Sequence, residues 1–128
     1  MIEFDLLEIL CIRHWEGRWR GRLRIALALP EAVEADHHGF PSFRVAGKIF
    51  CTVREDRPRM MVKLKPEDQH NFIEAHGGVI EPVPGYWGRK GATYVDTSRA
   101  DETLIVTLVN LAWAGVAPRR LVGRLTRS

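Results

Sequence analysis

Residues 40–64 read FPSFRVAGKIFCTVREDRPRMMVKL, and the fold turns on how that stretch is divided. FPSFRV, KIFCTV and RMMVKL are rich in β-branched, aromatic and other apolar residues. They are separated by AG and by REDRP. That pattern predicts three short strands joined by turns. Ala46-Gly47 makes a two-residue hairpin turn, with the glycine supplying the positive φ such turns need. Glu55-Asp56-Arg57-Pro58 makes the second, polar turn. Neither connection is long enough for a parallel crossover, so the pairing is antiparallel. Phe43, Phe50, Met60 and Met61 fall within these strands and are expected in the core.

Upstream, LRIALAL (23–29) is a run of helix formers that must end at or before Leu29, because Pro30 follows. Downstream, Pro66 opens a helix with Glu67 and Asp68 in its first turn, where acids meet the positive end of the helix dipole. Phe72, Ile73 and Ala75 give that helix an apolar side, and Gly77-Gly78 stops it. VIEPV (79–83) reads as an extended segment near a sheet edge, given its proline, and ATYV (92–95) as a further strand. Ser98, with Asp101 three residues on, has the look of a capping box. It precedes TLIVTLVNLAWA (103–114), apolar nearly all round and so a buried helix, ended by Gly115. Pro118 starts a last turn and the arginine-rich end trails off. The expected fold is α+β: a four- or five-stranded antiparallel sheet with two or three helices on one face, a two-layer sandwich.

The 128 residues, 45% hydrophobic and 27% charged, fit one globular domain. No apolar run approaches a membrane span. Glu3, Asp5 and Glu8 interrupt MIEFDLLEILCI (1–12), which therefore lacks the form of a secretory signal. Cys11 and Cys51 have no CxxC spacing and read as reduced thiols of a cytoplasmic protein. Residues 1–22 carry four bases and four acids. They read in three ways: an accessory helix, a basic-aromatic arm (RHWEGRWRGR), or an over-extended start with the domain proper at 23–128.

From Ile25 onward, RIALALP, HHGFPSFRVAGKIFCTV, MMVKL, PGYWGRKGATYVD and AWAGVAPRRL resemble the MmcQ/YjbR family of small bacterial proteins, over about residues 23–125. GFPSFRV and PGYWGR are the most specific strings. The resemblance implies a frataxin-like α/β sandwich, antiparallel sheet with helices on one side. It also implies a DNA-binding label that rests largely on structural analogy, and it supplies no catalytic residue set.

Net charge is +3, but its distribution says more than its sum. Arg44, Lys48, Arg54, Arg57, Arg59 and Lys63 border the hairpins, whose tips resemble wings that could straddle a phosphate backbone. In PGYWGRKGATYVD, Tyr86 and Trp87 could stack on bases while Arg89 and Lys90 meet phosphates. Equally, Trp87 could plug the end of the sandwich while Gly85, Gly88 and Gly91 merely permit the turns. Arg119 and Arg120 have a structural reason just past a helix end. The expected nucleic-acid contacts are Arg44, Lys48, Arg57, Arg59, Tyr86, Trp87, Arg89 and Lys90. DNA is the expected partner, with no cofactor, metal or membrane.

Two other functions stay open. One is a small-ligand or protein-interaction module in which the 84–96 loop rims a pocket. The other is an enzyme using His37 or His38. Adjacent histidines in a strand point to opposite faces and could not both ligate one metal, and zinc wants three or four convergent ligands. The sequence has no phosphate-binding P-loop, dinucleotide fingerprint, GxSxG or HExxH. Nor has it the acidic ridge of oxygen ligands that iron delivery would need.

Overall fold

The structure, a computed structural model, describes residues 25–54 and 56–127, with side chains as far as Gly123. The readings placed on residues 1–22, on Cys11 and on Glu55 lie outside the described residues. The three expected strands are present: β2 (Phe40–Val45), β3 (Lys48–Val53) and β4 (Arg59–Lys63). They are preceded by β1 (Val33–His37) and followed by α1 (Pro66–Ala75), β5 (Ile80–Pro82), α2 (Tyr86–Arg89), β6 (Ala92–Asp96), α3 (Glu102–Val116) and α4 (Arg119–Arg127). All strand pairs are antiparallel, in the order β1-β2-β3-β4-β6-β5.

The sheet thus has six strands, not four or five. The added one is β1, VEADH, an edge strand with exposed side chains at four of its five positions. It is joined to β2 by His38 (φ 54°) and Gly39 (φ 88°). Two successive positive φ values match the right-handed twist of a hairpin. Ala46 (φ 53°) and Gly47 (φ 80°) do the same between β2 and β3. Because His38 sits in a turn rather than a strand, the two histidines do not point apart: their ring centroids are 4.4 Å from each other.

Strand alternation sends Phe43, Val45, Val53, Met60, Val62 and Val95 to one face, all at most 2% exposed. A bulge adds to them. Phe43 faces Cys51 but Arg44 faces Ile49, so Phe50 has no partner across the ladder, and Phe50 and Cys51 are both buried. Helix α3 packs on β3 and β4, laying Ile105, Leu108, Val109, Ala112 and Trp113 into that face. Ile105, Leu108 and Val109 each contribute roughly 1.5–3 kcal/mol by leaving water. The Trp113 indole N–H donates to Pro30 O at 3.0 Å, fastening the turn after helical residues 25–27 onto the same core. Met61, expected inside, is only half-buried, because it alternates with Met60 and lies on the opposite face.

Three local expectations are corrected. The cap of α3 is Asp101, whose carboxylate accepts from Leu104 N at 2.8 Å, while Ser98 Oγ instead donates to Asp96. Gly115 does not end that helix, which runs on to Val116 with Ala117 as its cap. The arginine-rich end does not trail off but forms α4, where Arg120 pairs with Glu31 at 3.2 Å. Arg119 and Arg120 thus stand in the first turn of α4. On α1, Phe72 and Ile73 are half-buried as expected, but Ala75 is exposed and the buried residue is Gln69.

Replacing Asp101 by Ala removes the acceptor for one of the orphan N–H groups of α3 and should cost about 1 kcal/mol. Ser98→Ala should cost less than about 0.5 kcal/mol, as exposed changes usually do. Urea denaturation of both variants checks this; the reverse order would return the cap to Ser98.

Candidate nucleic-acid interface

The register defines what lies on the second face of the sheet, which no described helix covers. β4 turns Arg59, Met61 and Lys63 toward it. Opposite them on β6 stand Asp96, Tyr94 and Ala92. β3 contributes Ile49 and Thr52, and β2 contributes Phe40, Ser42 and Arg44.

Cations and aromatic rings on this face are matched. Arg54 Cζ sits 4.3 Å from the Phe40 ring centroid and Arg59 Cζ 4.2 Å from that of Tyr94. Lys63 Nζ is 5.8 Å from the Trp87 ring, and beside it Lys90 Nζ is 5.5 Å from the Tyr86 ring. Each such pair is attractive by about 0.5–1 kcal/mol at an exposed site. Between Trp87 and the His37–His38 turn the face forms a depression of about 500 Å³, lined also by Met61 and Tyr94. Arg54 is additionally held by Asp56 through two hydrogen bonds of 2.9 and 2.7 Å. That pairing raises the pKa of the guanidinium and lowers that of the carboxylate.

Trp87 is not a plug. It is 60% exposed and Tyr86 is 54% exposed, with their rings edge to face at 5.1 Å. The backbone beneath them is what is buried. Gln69 Nε2 on α1 lies 2.9 Å from Gly88 O, 3.0 Å from Ala92 O and 3.1 Å from Thr93 Oγ1. Two amide hydrogens are shared among three acceptors, and Thr93 passes its own proton to Gly91 O. A Cβ at Gly88 would lie 1.6 Å from Val83 O, and one at Gly91 (φ 114°) 1.8 Å from Leu64 O. The loop read as glycine-rich therefore wraps into the one-turn helix α2, pressed against the ends of β4 and β5, and its two aromatics are turned out to solvent.

Of the expected contact residues, Arg44, Arg59 and Trp87 border the uncovered face. Tyr86, Arg89 and Lys90 stand with Trp87 on or beside α2. Lys48 and Arg57 do not join them as a pair of wings. They lie at the two opposite ends of β3, roughly 20 Å apart along the strand, and Arg57 is 4.0 Å from Asp56. Phe40 and Tyr94 were not foreseen. Their signal was the two-residue period that sets Phe40 on the side of Ser42 and Arg44 and Tyr94 on the side opposite Thr93 and Val95, assignable to a face only once the register was known. Arg54 and Lys63 belong to the same face.

Cys51 is a buried thiol whose pKa burial pushes far up, which makes it an inert core residue rather than a nucleophile. Among the described residues no three His, Cys, Asp or Glu side chains are grouped to hold a metal ion, and no helix is long and apolar enough to cross a membrane.

A family model described as YjbR matches residues 27–114, and the chain belongs to that family. The crystal structure of Deinococcus radiodurans protein DR2400, with domain DUF419, matches with a TM-score of 0.66 at 16% identity, over 80% of this chain and 83% of that one. The two share the α+β fold. No curated protein matches the chain.

Gln69→Glu would set a carboxylate against three oxygens and should destabilise the protein by about 2–4 kcal/mol, as removing a buried donor does. Its thermal midpoint should fall by roughly 8 °C or more. A midpoint within a degree or two of the parent would show that Gln69 does not clip the loop.

Proposed function

We propose that this YjbR-family protein binds nucleic acid, with DNA as the first candidate, through the uncovered face of its sheet and without catalysing a reaction on it. The observation that carries the reading is the set of four cation–ring pairs gathered on and beside one face, two of whose rings are more than half exposed. A ring attracts a cation without cancelling its charge, so, apart from Arg54, which Asp56 pairs, the positive charge stays available to phosphates while the exposed rings offer flat faces to bases. Arg44, Arg59, Lys63, Arg89 and Lys90 are the phosphate contacts and Tyr86 and Trp87 the stacking platform. Lys48 and Arg57 take a secondary, peripheral part. A buried free thiol at Cys51 fits a reducing compartment, which supports the bacterial cytoplasm as the setting.

A second reading draws on the depression itself. Its volume lies in the range of small-ligand sites, and Ile49, Met61 and Val83 give it an apolar lining. Salt separates the two. Phosphate binding weakens steeply as salt rises, whereas an apolar ligand would hardly respond.

Arg89→Ala combined with Lys90→Ala should weaken binding of a labelled DNA oligonucleotide about tenfold and reduce the log–log salt slope by about 2, near one unit per lost cation. The melting temperature should move by no more than about 2 °C, since both side chains are exposed. Fluorescence anisotropy across a salt series reads both effects. Unchanged affinity and slope would remove α2 from the interface.

A further inference from the structure

We propose that the form of nucleic acid this face takes is single-stranded, with unpaired bases laid on flat side-chain surfaces rather than a duplex gripped by its backbone. This rests on the nucleic-acid reading above.

Three flat surfaces lie along the uncovered face. The Trp87 indole stands at one end, more than half exposed. The guanidinium of Arg59 lies over Tyr94, and that of Arg54 over Phe40, toward the other end. Rings and guanidinium planes are the two kinds of surface on which unpaired bases stack. The spacing suits more than one base. Lys63, which reaches Trp87, and Arg59, whose guanidinium lies over Tyr94, are the last and first residues of β4, with backbones about 13 Å apart in an extended strand and Tyr94 opposite Met61 between them. Sheet faces that carry aromatics in this way stack two or three bases of a single strand.

A duplex meets none of these surfaces, because its base faces are already covered by their neighbours. It would need cations standing proud of the protein where its phosphate ridges run. The fully exposed cations near the face are Arg89 and Lys90, side by side at α2, and Lys48 and Arg57, at opposite ends of β3, which gives a duplex one cluster and two scattered contacts rather than two ridges of charge. Arg57 is also close to a carboxylate. The other cations of the face, Arg44, Arg54, Arg59 and Lys63, are partly buried. They lie over rings or along the sheet floor, where a thin flexible strand can reach them and a rigid cylinder cannot.

The test uses one labelled oligonucleotide of mixed sequence in three forms, titrated with the full chain at one salt concentration. The forms are the single strand, the same strand annealed to its complement, and an abasic strand of equal length. The single strand should bind at least about tenfold tighter than the duplex, and the abasic strand should fall to the duplex level. Trp87→Ala should lose about tenfold on the single strand, with Trp87→Phe recovering most of it, and neither change should alter duplex binding by more than about twofold. Duplex binding equal to or tighter than single-strand binding would overturn this inference and leave the nucleic-acid reading standing, as would an abasic strand that binds like the intact one. Binding to none of the three forms would overturn both.

Discussion

Among the described residues, helices pack on one side of the sheet only, and the rest of the described structure follows from that. With α3 and α1 packed on one face, strand alternation sends successive side chains to opposite sides of the sheet, except at the bulge where Phe50 and Cys51 are both buried. Met60 and Val62 are inside, so Arg59, Met61 and Lys63 are outside. A central sheet face in contact with water cannot simply be apolar without inviting association. Here the long aliphatic stems of arginine and lysine lie over aromatic rings, covering apolar surface while their charged ends reach solvent. The arrangement that makes the uncovered face tolerable to water is the same one on which the proposed nucleic-acid binding rests.

Holding Trp87 out in solvent requires a rigid base, because an exposed indole on a mobile loop would collapse onto the nearest apolar surface. Gln69 provides that base from a helix on the far side of the sheet. It is 8% exposed, and its amide adds a second donor to the carbonyl oxygens of Gly88 and Ala92, which already accept from Gly91 N and Val83 N. A buried polar group of this kind is costly unless fully paired. Its presence in place of an apolar residue gives the loop one position rather than extra stability. Gly88 and Gly91 serve the same end, since only a residue without a Cβ fits so close to Val83 O and Leu64 O.

Much of this was legible in the sequence where local chemistry and pattern agree. The three strands of 40–64, the helix opened by Pro66 and the apolar α3 all announce themselves through alternation, turn residues or continuous hydrophobicity. β1 did not, because VEADH is an edge strand with little to bury and its turn begins with a histidine at positive φ, where glycine or asparagine is the commoner signal. The cap was misplaced by three residues because Ser98 and Asp101 are both good capping residues and only geometry tells which accepts from the helix. The face itself was half legible. Lys63 and Arg59 could be set on one side of β4 by counting, but Phe40 and Tyr94 join them only through the pairing register. The bulge at Phe50 breaks the count in β3. Trp87 was ambiguous in principle, since a tryptophan beside glycines serves as well for a plug as for a platform. Only the tight backbone contacts beneath it decide.

The kind of partner each cation has separates recognition from stability. A carboxylate cancels a cation's charge, and an exposed pair of that kind contributes little to stability. Arg120 with Glu31 is such a pair, joining α4 to the segment before β1. Arg54 with Asp56 is another, at its rim. On the face itself the arrangement differs. Arg59 stands across the ladder from Asp96, yet Asp96 Oδ1 already accepts from both the N–H and the hydroxyl of Ser98, and that hydroxyl is the main reason its pKa is lowered. Arg59 is turned instead over the Tyr94 ring. A local hydrogen bond thus occupies the nearest acid while a ring takes the guanidinium, and the positive charge of the face is kept rather than neutralised. For a surface whose only task was to coexist with water, the cross-strand ion pair would have served. The ring pairing leaves both the charge and a flat guanidinium plane accessible, the two properties that the proposed binding of a phosphate and its base would use.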